Sequence, residues 1–177
     1  MRPTDFLFRE SFYSTLQELE HSNVRLAAYD LLCGVGTCHE NGFPIAPGMK
    51  EALAPELEPM FASIKLPRHK REPNSFLFRE SFYETALELT DPDIRLAYYE
   101  LLCGFGVTGV NDIESYPIAP EKQAALALIL EHIFQSIAGT KQRYDRAVEN
   151  GRRGGLKGGK LGGRGHKKQA VSTSQTA

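Results

Sequence analysis

The chain has 177 residues, 24% of them charged and 41% hydrophobic, which suits one or two small globular domains. Its net charge of −1 hides an uneven distribution. Residues 1–140 carry 11 Lys/Arg and 20 Asp/Glu, a balance of −9, whereas 141–177 carry 10 and 2, a balance of +8. The longest aliphatic run, Ala124–Leu130, is far short of the roughly 20 residues of a membrane helix. Three cysteines do not make a disulfide framework, and the N-terminus lacks an apolar signal core. These features exclude membrane, secreted and fibrous classes, so we expect a cytoplasmic protein with no membrane partner.

An internal repeat organises most of the chain. The eight residues Phe6–Tyr13 return unchanged as Phe76–Tyr83, and 6–36 matches 76–106 at 20 of 31 positions. A match of this length does not arise by chance. We therefore predict a duplicated domain, whose halves are called copy one and copy two below.

Each copy is predicted to form three helices. Apolar residues at helical spacing place helix one at about 9–19 and 79–89; in copy one they are Phe8, Phe12, Leu16 and Leu19. Helix two of copy two begins at an Asp91 cap with Pro92 in its first position, and ends at Gly104, the counterpart of Gly34. Helix three covers about 48–66 and 121–138. No segment of useful length alternates with period two, so the predicted fold is all-α without strands.

The ends of the copies set the predicted domain bounds. The first repeat covers 1–66, a polar linker covers 67–75, and the second repeat with a helical extension covers 76–150. Asn150-Gly151 is predicted to stop the last helix. Beyond it, residues 151–165 include eight glycines. Such a segment has too few apolar groups to offset the entropy that is lost on ordering. The basic tail over 151–177 is therefore predicted to be disordered.

Several motifs point to a family. Phe-Arg-Glu-Ser-Phe-Tyr, an Arg-Leu-x-x-Tyr helix (Arg25–Tyr29; Arg95–Tyr99) and the run from Arg143-Tyr144 to Glu149-Asn150-Gly151 occur together. In these motifs the chain resembles an uncharacterised small helical domain of phages, prophages and mobile elements. Members typically end in Arg-Tyr, Asn-Gly and a Lys/Gly-rich tail with Gly-Arg-Pro. The resemblance implies a helical fold and a mobile-element setting, but no activity. This chain departs from it in being duplicated and in having Gly165 where that proline would stand, so a proline-based minor-groove hook is not expected.

The basic tail is the candidate binding site. Seven cations on a flexible backbone would neutralise phosphates and release condensed counterions, giving affinity for nucleic acid without sequence preference. They are Arg152, Arg153, Lys157, Lys160, Arg164, Lys167 and Lys168. Three further cations, Lys141, Arg143 and Arg146, are candidates for extending the patch. The alternative is a tail that only solubilises the acidic body (residues 1–140).

Two apparent cofactor motifs are interpreted as structural. Gly104-Phe-Gly106-Val-Thr-Gly109 matches a dinucleotide fingerprint, but a helix precedes it and a loop follows, so a helix end is expected. Cys33, Cys38 and His39 make at most half a zinc site, with no second cluster to complete it. We therefore expect no metal and no cofactor.

An enzyme would need a recurring catalytic set. The Arg9-Glu10 pair recurs as Arg79-Glu80 amid aromatics, and the favoured explanation is favourable charge at a helix start together with a packed ion pair. A serine recurs beside each glutamate (Ser11 and Ser81), but no His or Asp recurs there to activate it, so we predict that the protein is not an enzyme. The enzyme hypothesis would use Glu10 and Glu80 as a carboxylate pair across a cleft.

The sequence thus predicts two tandem, pseudo-symmetric three-helix repeats followed by the basic tail. A single repeat of about 60 residues buries little surface, which suggests a fused version of a homodimer. The predicted oligomeric state is a monomer with a pseudo-dimeric fold or a weak homodimer. The predicted function is a non-enzymatic accessory protein that binds nucleic acid through the tail, while the acidic body contacts an unidentified protein. The alternative is a protein-interaction or inhibitor module.

Overall fold

The computed structural model of the chain describes residues 5–39, 42–64 and 74–160, with side chains described as far as residue 153. The described residues are mostly helical, as predicted, and include one small sheet. In chain order the elements are β1 Phe6–Arg9, α1 Glu10–Gln17, α2 Ser22–Gly36, α3 Pro47–Ile64, β2 Ser75–Phe78, α4 Glu80–Glu88, α5 Pro92–Thr108, a 3₁₀ turn Ile113–Ser115 and α6 Pro120–Lys160.

Contacts between residues divide the chain into two compact units, Met1–Lys141 and Gln142–Ala177. All elements up to α5 lie in the first unit, and the part of α6 from Gln142 onward belongs to the second. Within the described ranges, every helix is too short or too polar to cross a membrane.

The prediction of a fold without strands is wrong, because β1 and β2 pair antiparallel. Phe6 lies opposite Phe78 and Phe8 opposite Phe76, with the Leu7–Leu77 pair between them. All four phenylalanines are buried. Phe8 therefore belongs to a strand and not to the helix-one stripe. Four residues are too few to show a period of two, and the strand forms only because its partner arrives from the other copy.

The predicted start of helix two is confirmed, and its predicted end is wrong. The Asp91 side chain accepts hydrogen bonds from the Asp93 and Ile94 amides at 2.9 and 3.2 Å, and Pro92 opens α5. The helix then passes through Gly104 to Thr108 and is capped by Gly109, whose φ of 80° is left-handed. Likewise, α2 passes Gly34 and ends at Gly36.

The glycines inside these helices serve packing. A Cβ atom at Gly36 would overlap the Phe6 ring, and one at Gly106 would overlap the Phe76 ring. Each copy's strand thus lies directly on the last turns of its own second helix. This contact requires glycine within a helix, although glycine usually signals a helix end.

Helix three is present in both copies with shifted bounds, as α3 and the first part of α6. In α6 the buried face of the first unit comprises Leu126, Leu130, Phe134 and Ile137, and Phe105 of α5 stacks on Phe134 at 4.1 Å. The helix stop predicted at Asn150-Gly151 is wrong, since α6 continues to Lys160. The rest of the predicted tail, 161–177, lies outside the described residues, as does the predicted linker up to residue 73.

Reciprocal contacts join the two copies at the centre of the first unit. Tyr29 of α2 stacks on Tyr99 of α5, with ring centroids 5.3 Å apart and planes 4° from parallel. Tyr83 of copy two reaches Gly34 of copy one, and Tyr13 of copy one reaches Gly104 of copy two. Each half of the sequence therefore completes the core of the other.

Candidate functional site

The predicted tail cations divide between described and undescribed residues. Arg143, Arg146, Arg152 and Arg153 are exposed on α6 in the second unit, whereas Lys141 is partly buried at the end of the first unit. Positions 157 and 160 are helical, but their side chains lie outside the described part. Arg164, Lys167 and Lys168 lie outside the described residues altogether.

The helical backbone of the second unit aligns cationic positions that a disordered tail would leave scattered. At 100° per residue, positions 143, 146, 153, 157 and 160 fall within about 100° of arc, along about 26 Å of helix. We call these five positions the basic stripe. Arg152 lies roughly 130° around the helix from the centre of the stripe. The helical backbone of the second unit therefore places five of its six cationic positions on one side.

Two of these cations already bind a carboxylate. Glu149 accepts from Arg152 Nε at 3.1 Å and from Arg153 Nε at 2.8 Å, and these hydrogen bonds lower the pKa of Glu149. Both arginines remain about 70% exposed. Exposed ion pairs contribute little free energy, so a phosphate can replace Glu149 as the partner at small cost.

The structure does not bring Glu10 and Glu80 together. Glu10 follows β1 and its amide donates to the Asn74 carbonyl at 3.0 Å, whereas Glu80 follows β2 and its amide donates to Asp5 Oδ1 at 3.2 Å. In the antiparallel register these positions lie at opposite ends of the ribbon, roughly 20 Å apart. A carboxylate pair across a cleft is therefore not formed by these two residues.

The cysteines and glycines considered for cofactors also have structural places. Cys33 and Cys103 are buried free thiols, and burial raises the pKa of both thiols well above the usual value. Cys38 is exposed. Gly104 and Gly106 lie inside α5, so the dinucleotide fingerprint forms no phosphate loop.

Two part-buried ionic contacts join the copies, and neither was predicted from the sequence. Arg25 of α2 donates from Nε to Glu100 of α5 at 2.8 Å, and Arg95 of α5 donates to Asp30 of α2 at 3.3 Å. Both acids are more than 90% buried. The repeat contained a signal, because an arginine stands five residues before an acid in each copy. Residues five apart do not face each other on one helix, so such a pair must bond across copies.

The two ionic contacts differ in the aromatic residue that lies beside them. Beside Glu100, the Tyr116 hydroxyl donates to the carboxylate in a very short hydrogen bond. Beside Asp30, the equivalent aromatic is Phe43, and the Arg95 guanidinium lies 3.7 Å above its ring centroid. Phe43 offers no hydroxyl, so no equivalent of the Tyr116–Glu100 hydrogen bond forms at this position.

Asp30 is a buried acid with a perturbed pKa. Burial raises the pKa of Asp30 to about 6, against the opposing attraction of Arg95. Asp30 also lines a cleft of about 460 Å³ that is shared with His39, Lys50 and Tyr83. Burial raises the pKa of the Tyr83 phenol to about 12 as well. A buried acid that titrates near pH 6 in a cleft is a functional candidate on physical grounds.

We expect Asp30 to make stability depend on pH. Its pKa is about 6 in the folded chain and about 3.9 in the unfolded chain, so between these values the folded state holds the extra proton. The free energy of unfolding should therefore fall by roughly 2–3 kcal/mol as pH rises from about 4 to 6, and then level off. Urea titrations of the wild type and Asp30→Asn across this range isolate the effect. A constant difference between the two proteins would contradict the assignment.

No family model, curated protein or solved structure matches this chain. The resemblance to the phage domain therefore rests on the quoted motifs and stays a prediction.

Proposed function

We propose that this chain is a non-enzymatic accessory protein that binds nucleic acid without sequence preference through the basic stripe. The observation that carries the proposal is the alignment of five cationic positions on one side of α6 in the second unit. Each cation that neutralises a phosphate releases a condensed counterion, and that release is the main source of non-specific affinity. An aligned row presents its charges together without the ordering cost that a disordered tail would incur.

The acidic body supports a division of labour in this proposal. Residues 1–140 carry a balance of −9, which repels phosphates, so the nucleic-acid contact is confined to the C-terminal segment. We propose that the body contacts a protein partner. The mobile-element setting comes from the motif resemblance alone.

The test is fluorescence anisotropy of labelled duplex and single-stranded DNA with the full chain at several salt concentrations. If all five stripe cations contact duplex phosphates, the slope of log affinity against log salt is expected near about −4.5. The variant Arg146→Gln/Arg153→Gln/Lys157→Gln should reduce the magnitude of that slope by about 2.7.

A matched pair of single variants separates the stripe from bulk charge. Arg152 and Arg153 are neighbours that share Glu149, but only Arg153 lies in the stripe. Arg153→Gln should reduce the slope by about 0.9, and Arg152→Gln should leave it unchanged. Equal effects of the two substitutions on the slope would mean that binding depends on the number of cations and not on their position around the helix. No binding at low salt would exclude the proposal and leave the protein-interaction module, with a solubilising tail, as the better account.

We also propose that the two copies are the fused halves of a former homodimer. The β1–β2 register supports it, because exchanging the copies returns the same pairs around Leu7 and Leu77. The Arg25–Glu100 and Arg95–Asp30 contacts exchange in the same way. Self-complementary contacts of this kind are the signature of a two-fold interface.

A further inference from the structure

We propose that His39, Glu80 and Glu84 form a binding site for a zinc ion in the first unit. One histidine ring nitrogen and one carboxylate oxygen from each glutamate lie within 4.8 Å of one another. Imidazole nitrogen and carboxylate oxygen are both zinc ligands, with bonds of about 2.0–2.2 Å. In a tetrahedral site such bonds place ligand atoms about 3.4 Å apart. Side-chain rotations that move the ligand atoms by about 1 Å therefore complete the geometry.

The two glutamates are positioned by α4. Glu80 and Glu84 lie one turn apart on the same side of this helix. Glu80 is partly buried and Glu84 is exposed, which leaves Glu84 free to rotate towards an ion. Two carboxylates and one imidazole thus supply three candidate ligand atoms for a divalent cation.

The histidine is held by the end of α2. Cys38 has a left-handed φ of 59°, its amide donates to the Val35 carbonyl at 3.2 Å, and the His39 amide donates to the Gly34 carbonyl at 2.9 Å. This pattern is a Schellman motif, which fixes the backbone of His39. A non-glycine residue rarely adopts this conformation, so the turn holds its geometry against an intrinsic preference.

A buried threonine sets the histidine tautomer. Thr37 Oγ1 donates its proton to the Cys33 carbonyl at 2.7 Å, so it can only accept from His39 Nδ1, which lies 3.2 Å away. The Nδ1–H tautomer leaves the Nε2 lone pair available for a metal. An outer hydrogen bond of this kind is what orients histidine ligands in metal sites.

The other copy shows that the fold does not require these residues. At the positions equivalent to His39 and Glu84, the repeat has Gly109 and Ser14, while Glu10 replaces Glu80 and accepts from Asn74 Nδ2 at 2.8 Å. The equivalent segments therefore form without the ligand set, although in copy two the helix runs on to Thr108 and the left-handed residue is Gly109. The cluster could not be predicted from the sequence, because Glu80 and Glu84 lie 41 and 45 residues after His39 and belong to the other copy.

The site has an entry path. His39 lines the 460 Å³ cleft together with Asp30, Lys50 and Tyr83. Three protein ligands leave the fourth position of a tetrahedral zinc for water, as in zinc sites that bind small molecules.

The test is calorimetric titration of the chelator-treated full chain with zinc chloride at pH 7. We expect one strong site in the wild type. His39→Gly and Glu84→Ser, which install the residues of the other copy, should each raise the zinc Kd at least about tenfold. Glu10→Gln, at the position equivalent to Glu80, should leave it unchanged. Absence of a strong site in the wild type, or equal affinity in all four proteins, would overturn the proposal.

The neighbouring thiol is tested separately. Cys38→Ser should retain zinc affinity, and the cobalt-loaded wild type should show four-coordinate d–d absorption without a thiolate charge-transfer band. Loss of affinity in Cys38→Ser, or a thiolate band, would assign the metal to cysteine and overturn the ligand set. Circular dichroism of each variant verifies that the fold is retained.

Discussion

Replacing Phe8 by alanine is expected to lower the free energy of unfolding by about 3–5 kcal/mol. Phe8 has no exposed surface and lies at the centre of the aromatic cluster. Its ring centroid is 5.5 Å from that of Phe76, 6.3 Å from that of Phe78 and 5.7 Å from that of Phe12. Because these neighbours come from both copies, the cavity would loosen the contact between the halves as well as the strand.

The adjacent residue supplies the control for Phe8. Leu7 is on the same strand but points to the other face of the ribbon and is only half-buried, so Leu7→Ala should cost clearly less. Phe78 is the counterpart of Phe8 in copy two and is equally buried, so Phe78→Ala should match Phe8→Ala within about 1 kcal/mol. Denaturant unfolding measures all three. A loss for Phe8→Ala no greater than for Leu7→Ala would contradict the packing argument.

The isolated second copy, residues 74–150, is expected to be a dimer and not a folded monomer. Removing copy one takes away β1, the Tyr29 partner of Tyr99, and the Arg25 partner of the buried Glu100. A buried carboxylate without its cation is strongly destabilising, by about 3–5 kcal/mol. A second molecule of the fragment replaces each lost partner. Its Arg95 is equivalent to Arg25, and its β2 can pair with the β2 of the first molecule in the same register.

Sedimentation equilibrium over a range of concentrations, together with circular dichroism, tests this expectation. Helical content and dimer population should rise together with concentration, because folding and association are the same step. Glu100→Lys in the fragment places two cations opposite each other and should abolish association, whereas Glu88→Lys, an exposed change, should not. A well-folded monomer at all concentrations, or a fragment that stays unfolded at every concentration, would contradict the fused-dimer proposal.

Local sequence patterns were sufficient to predict most of the helices and the number of helices in each copy. The Asp91 cap, the Pro92 start and the apolar periodicity are interactions within a few residues, so the sequence specifies them directly. The glycines led to wrong predictions of helix ends, for two different reasons. Gly104 and Gly106 lie within α5 because Tyr13 and Phe76 pack against them, and Gly151 lies within α6 because an established helix continues without a new nucleation cost.

The sequence by itself determined the duplication, the helical class and the separation of acidic from basic residues. Only the tertiary structure decided which distant residues meet. The β1–β2 ribbon, the Arg95–Asp30 contact that accompanies the perturbed carboxyl, and the cluster of His39 with Glu80 and Glu84 all join copy one to copy two. Contacts of this kind leave no periodicity along the chain. They arise because apolar side chains from both copies are buried in one shared core.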